Sequence, residues 1–199
     1  HTDIPLDEAG RAQAALGAAL LAGLGPHALA SSDLQRARDT AAELARLTGA
    51  HLHVAHVSAA RSAELIRDAK AAGVRVTAEV TPHHLFLTDE EIRGYDTNKK
   101  MAPPLRTARD REALRQGLAD GTLDCIATDH APHAHYEKDV EFVAAPFGVV
   151  GLETSLSVGL ELVREDVLSP LALVDRMSTR PARVFGVGGG TLEPGAPAD

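Results

Sequence analysis

A cationic surplus, long apolar runs and paired cysteines are all missing from this sequence. Its 199 residues include 20 Lys and Arg against 28 Asp and Glu, a formal charge of −8. Binding to nucleic acid wants a basic face, so no nucleic-acid partner is expected. No apolar run reaches the roughly 18 residues of a membrane-spanning helix. The Ala/Leu-rich stretch from Ala12 to Leu24 is too short, is broken by Gly17 and Gly23, and lacks a basic lead-in. It therefore reads as neither membrane span nor signal peptide. Cys125 is the single cysteine, which rules out a disulfide framework and fits a reducing, cytoplasmic setting. There is no internal repeat. Gly188-Gly189-Gly190 lacks the Lys-Ser/Thr and the following helix of a phosphate loop, so it reads as a turn.

What is present is a globular composition, 44% hydrophobic and 24% charged. That is one domain's worth of core, or most of a larger one. The opening at His1 and the ending at Asp199 are expected of a piece cut from a longer chain. Residues 1–31 hold no reliable motif beyond a possible helix from Ala12 to Leu24, broken by Gly25-Pro26.

From Ser32 the pattern sharpens. Leu34, Ala37, Ala41, Leu44 and Leu47 make an apolar helical stripe that stops at Gly49. A strand is expected over 51–58, a helix over 59–72, and a strand over 74–80. After a polar loop, Thr107 caps a helix carrying Leu114 and Leu118 that stops at Gly121, and a strand follows over 123–128. Helices are expected at 152–163, 170–177 and 178–184. Each middle helix ends in glycine and each strand ends in polar, histidine-bearing sequence. This alternation predicts a parallel α/β sheet with functional groups at the carboxyl ends of its strands. The fold expected is α/β, about half of a (β/α)8 barrel, with a fourth strand expected just upstream of His1. Residues 1–186 would form the partial barrel, and residues 187–199 the start of a strand belonging to a small β-domain.

The chemistry concentrates at Ala127-Thr128-Asp129-His130-Ala131-Pro132-His133. An aspartate and two histidines gather where an apolar strand runs out. A carboxylate there is costly unless it is paired or bound to a metal, and histidine is the commonest neutral metal ligand. Asp129 can ligate a metal through one oxygen and take a proton from water with the other. His56, at the end of its strand, is the candidate partner. His51 and His53 form a tempting His-x-His pair, but they begin their strand and read as core histidines. His83 and His84 follow the next strand and read as groups that orient their neighbours. Lys99, Lys100 and Arg106 flank Pro103-Pro104 and read equally well as a solvated loop or as an anion site. The long loop 134–150, ending Ala145-Pro146-Phe147-Gly148, is of a length more often functional than idle.

These strings have a family likeness. His53-Val54-Ala55-His56-Val57-Ser58, Thr77 to Leu85, Pro103-Pro104-Leu105-Arg106, Ala127 to His133 and Ala145-Pro146-Phe147-Gly148, in that order, closely resemble bacterial dihydroorotases of the amidohydrolase superfamily. The resemblance covers roughly residues 36–199 and matches the C-terminal half of such an enzyme. It implies a hydrolase with one or two Zn2+ ions that interconverts dihydroorotate and N-carbamoyl-aspartate in pyrimidine synthesis. It makes His56 and Asp129 metal ligands, Asp129 also the general base, His133 a substrate-carboxylate contact, and Phe147 and Gly148 backbone contacts to substrate. His1, in His1-Thr2-Asp3, is the candidate for a further histidine ligand. Two departures stand out. Ala102 occupies the substrate-contact position where the family often has asparagine, which also suits an allantoinase or another cyclic-amide hydrolase. Residues 4–31 lack the Asn-Glu-Gly-like segment of the family. The resemblance further allows a homodimer, association with aspartate transcarbamoylase, or a non-catalytic homologue that only supports that association.

Overall fold

The structure, a computed structural model, describes residues 6–32 and 35–196. Four strands form one sheet in chain order: β1 (Ala28–Ser32), β2 (His51–Ala55), β3 (Val76–Val80) and β4 (Cys125–Ile126). Every pairing is parallel, β1 to β2, β2 to β3 and β3 to β4. Parallel neighbours require a crossover between them, and helices supply it. Helix α1 (Glu8–Ala22) precedes β1, α2 (Gln35–Thr48) links β1 to β2, and α3 (Ala60–Ala71) links β2 to β3. Between β3 and β4 run the single turn α4 (Pro82–Phe86), two 3-10 turns and α5 (Ala108–Asp120). After β4 come α6 (His135–Lys138), α7 (Ser155–Arg164), α8 (Pro170–Val174), a π-turn over Asp175–Thr179, and α9 (Arg180–Phe185).

The expected middle helices and strands form where the pattern puts them. Thr107 caps α5 with its hydroxyl and Asp110 reaches back to the Thr107 amide, a reciprocal capping box. Helix α5 then ends at Gly121 with φ +84°, a conformation that favours glycine. One strand was not expected. β1 lies inside a stretch that carried no strand signal, and the strand expected upstream of His1 lies outside the described residues. Ala28-Leu29-Ala30-Ser31-Ser32 has none of the β-branched or aromatic residues that mark strands. It pairs because β2 offers it an unpaired edge. Residues 187–196 run without a strand, and the rest of that expected segment lies outside the described residues. No helix among the described residues is long and apolar enough to cross a membrane.

The sheet has two unlike faces. In the β2–β3 register, Leu52 pairs with Val76 and Val54 with Ala78, whereas His53 pairs with Thr77. Side chains alternate along a strand. Leu52, Val54, Val76, Ala78 and Val80 therefore share one face and join the core with Ile66, Leu114 and Leu118 from the helices. His51, His53, Thr77 and Glu79 share the other face. Cys125 of β4 pairs with Glu79, and burial chiefly, with Asp124 and Glu79 adding, pushes its thiol up to about 12. It is an inert core residue.

Two polar devices fix the strand ends. The buried Asp124 accepts from the Ala78 amide at 2.9 Å and from Lys70 Nζ at 2.7 Å, tying the lead-in of β4 to β3. His84, also buried, donates from Nε2 to the Pro103 carbonyl at 3.1 Å and accepts from the Thr81 hydroxyl at 2.7 Å. It thereby tethers the Pro103-Pro104 loop to the end of β3.

Asp124→Ala is expected to leave the Ala78 amide unsatisfied and lower the unfolding free energy by about 1–3 kcal/mol in urea denaturation. A loss below about 0.5 kcal/mol, typical of plain surface changes, contradicts the role given to Asp124. Burial above all pulls His84 from 6.5 down to about 4, despite its bonds to the Pro103 and Pro104 backbone. The unfolded state then takes the proton first, so this contribution is complete above about pH 6.5 and lost as pH falls towards about 4. His84→Gln should flatten the fall in urea midpoint across that window, and an unchanged slope would speak against it.

Candidate functional site

The site is built where β2, β3 and β4 end side by side. His56 is the first residue beyond β2 and Asp129 stands three residues beyond β4. Both have left-handed backbones, φ +53° at His56 and +47° at Asp129. Non-glycine residues held there cost on the order of 1–3 kcal/mol each and gather at functional sites. The effect is to turn both side chains towards one point. His56 Nε2 lies 3.6 Å from Asp129 Oδ1, and His83 Nε2, from the start of α4, lies 3.9 Å from Asp129 Oδ2.

A column of polar groups runs up the inner face of the sheet to this point. His51 Nε2 lies 2.8 Å from Thr77 Oγ1, and His53 Nδ1 lies 2.8 Å from the same hydroxyl. His53 Nε2 donates to Glu79 Oε2 at 3.2 Å, and Glu79 Oε1 is 2.9 Å from His56 Nδ1. The tautomers follow from the partners. A carboxylate can only accept, so Glu79 favours a proton on Nδ1 of His56 and leaves the Nε2 lone pair facing Asp129. Burial pushes the Glu79 carboxyl up, but hydrogen bonds and charge from His53 and His56 outweigh it and bring it down to about 2. Burial raises Asp129, His56 lowers it and Glu79 raises it, and the balance lies above the usual carboxylate value. His83 is pulled down to about 3 by burial first and then by His84 and His56, so it is a neutral imidazole at neutral pH.

These donors suit a transition metal in part. One imidazole nitrogen and one carboxylate oxygen about a ligand–ligand distance apart are a zinc-type pair. His83 Nε2 is buried, makes no hydrogen bond among the described residues, and points at the same carboxylate. Among the described residues no group of three or more His, Cys, Asp or Glu is arranged to hold an ion. The described residues thus supply two donors of a site rather than a closed one. His1, the third candidate, lies outside the described residues.

The other expected residues fall into a second cluster. His133 Nε2 donates to the Phe147 carbonyl at 2.9 Å, and Glu137 Oε2 lies 3.6 Å from its Nδ1. Gly148 is seated so closely that a Cβ there would come within 2.5 Å of the Ala131 carbonyl and 3.0 Å of the His133 ring. With φ +141° it occupies a conformation reserved for glycine. His130 accepts on Nδ1 from the amides of Gly151 and Leu152, so it organises the loop. Ala102 is exposed, ahead of Pro103, and no described contact joins it to either cluster. Lys100 does not serve as an anion site, because its ammonium is buried and donates to three carbonyls. Lys99 pairs with Glu91 and Asp96 at the surface, and Arg106 reaches Ser58. Glu79 is the functional residue that sequence reading missed. Its signal was period two: Thr77 and Glu79 share the face of His51 and His53.

The chain is 62% identical over 157 residues to a dihydroorotase of Pelotomaculum thermopropionicum, covering 78% of the chain and 37% of that protein. It is 58% identical over 171 residues to a dihydroorotase of Anaeromyxobacter dehalogenans, covering 85% and 39%. It thus spans about two-fifths of the length of these curated relatives. Among solved structures, an L-hydantoinase (dihydropyrimidinase) of Arthrobacter aurescens superposes with a TM-score of 0.77 at 31% identity, over 96% of this chain and 44% of that one. A dihydropyrimidinase of Brevibacillus agri gives 0.76 at 28%, over 84% and 39%. A family model for the histidine phosphatase superfamily (branch 1) matches residues 1–61, under a third of the chain. His1 and His56 fall in that stretch, and Glu79, His83, Asp129, His133, Phe147 and Gly148 lie beyond it. By sequence over 78–85% of its length the chain belongs with the dihydroorotases, and by fold with the cyclic amidohydrolases.

Proposed function

We propose that this chain forms part of a zinc-dependent dihydroorotase, which opens and closes the ring between dihydroorotate and N-carbamoyl-aspartate in pyrimidine synthesis. The observation that carries the reading is the convergence of His56 Nε2 and Asp129 Oδ1 at 3.6 Å, with the buried His83 nitrogen facing the same carboxylate. His56 and Asp129 would hold the ion, and His1 is the further histidine candidate. A bound zinc ion would polarise the amide carbonyl and make water a nucleophile near neutral pH. Asp129 accepts the proton from the attacking water and returns it to the leaving ring nitrogen. Its raised affinity for a proton suits that exchange. Neutral His83 stands beside the same carboxylate and can donate to it or to the carbonyl oxygen. His133, which the Phe147 carbonyl braces, would contact the substrate carboxylate, with the backbone of Phe147 and Gly148 alongside. The remaining donors would come from the part of the family that the chain does not span, so the 199-residue chain alone is expected to be inactive.

Ala102 and the hydantoinase neighbours favour a second reading, a hydrolase of another cyclic amide such as allantoin or a hydantoin. Full-length protein assayed on dihydroorotate, hydantoin and allantoin separates the two. Turnover of dihydroorotate with little or none of the others is expected, and the reverse preference defeats the first reading. Asp129→Asn should cut kcat by about 10²–10⁴-fold with the fold retained by circular dichroism. Glu79→Gln should weaken zinc binding, read by competition with a chelating dye, by about 10–100-fold. Unchanged affinity would remove Glu79 from the site.

A further inference from the structure

Two lysines are nearly wholly buried, and neither makes an ion pair among the described residues. Lys100 is 9% exposed and Lys138 7%. A buried ammonium is costly unless fully hydrogen-bonded. Here backbone carbonyls do that work. Lys100 Nζ donates to Phe142 O at 2.7 Å, Val143 O at 3.0 Å and Ala145 O at 2.6 Å. The same ammonium stands 4.7 Å from the Phe147 ring centroid and 5.4 Å from that of Phe142. Lys138 Nζ donates to Pro146 O at 2.9 Å and to Thr97 O at 3.1 Å, and the Thr97 hydroxyl returns a short bond to Lys138 O. The main chain adds Gly148 N donating to Lys100 O at 3.0 Å.

The carbonyls of residues 142, 143, 145 and 146 are therefore captured by two ammonium groups, Lys100 from a distant segment and Lys138 from the end of α6. The next carbonyl, that of Phe147, is the one that receives His133. We propose that Lys100 and Lys138 are positioning residues that wind the 139–148 loop around their ammonium groups and so set the Phe147 carbonyl, Gly148 and His133 for the substrate. The substrate part of this rests on the dihydroorotase reading; the clamp itself does not. Tetrahedral geometry is essential. Three convergent carbonyls match the three N–H bonds of an ammonium, whereas the planar fork of arginine cannot address them together. Lys100→Arg is therefore expected to fail as a replacement, although it keeps the charge.

The test uses full-length protein, wild type against Lys100→Met, Lys100→Arg and Lys138→Met. Lys138→Met removes fewer bonds and covers the case in which a Lys100 variant does not fold. Hydrogen exchange is followed by mass spectrometry on peptides spanning 139–148, alongside steady-state kinetics on dihydroorotate. Faster exchange confined to that loop, with KM raised about tenfold or more and kcat within a few-fold, is the expected result. Unchanged exchange in every folded variant overturns the clamp. Faster exchange with unchanged KM overturns its link to substrate. If wild type does not act on dihydroorotate while the variants still exchange faster, the clamp stands and the dihydroorotase reading falls.

Discussion

A carboxylate cannot remain ionised inside a sheet unless donors surround it. Glu79 meets that condition only because β2 and β3 pair in the register that sets His53 beside Thr77. One oxygen then takes the His53 proton and the other reaches His56. Shift that register by one residue and the polar column points into the apolar core while Leu52 and Val54 face the site. The same pairing therefore secures the core and aims His56. Burying the charge is tolerable because the histidines return more than burial costs, which is why the group stays at about 2.

The strand ends complete the arrangement. His56 and Asp129 both sit in left-handed conformations, which few non-glycine residues adopt. Such backbone persists when its surroundings over-determine it. Around Asp129 these surroundings are the Asp124 clip to β3, the bridge of His130 to Val149, and Gly151 packed so closely that a Cβ would lie 2.4 Å from Thr128 O. The loop beyond is braced in turn by ammonium groups and by His133. Strain at the reacting groups is thus balanced by backbone hydrogen bonds further out.

Much of this was legible in the sequence because its signals are local. Glycine stops, the Thr107 capping box and apolar runs marked the helices and strands from α2 onwards. Histidines at strand ends marked the side of the sheet that matters. What stayed hidden depends on pairing across the chain. β1 has alanines and serines and is a strand only because β2 accepts it. Glu79 looked like one more strand residue until its register with β2 was known. Lys100 looked like surface charge, since nothing nearby in sequence reveals carbonyls more than forty residues away.

The proposed function makes one structural demand above all: an ion held by His56 and Asp129 at the ends of β2 and β4. Crystals of the full-length protein grown with zinc, and measured at the zinc absorption edge, test it directly. An anomalous peak within about 2.0–2.2 Å of both His56 Nε2 and an Asp129 carboxylate oxygen is expected. A peak elsewhere with these two side chains unligated, or none at all after zinc loading, contradicts it.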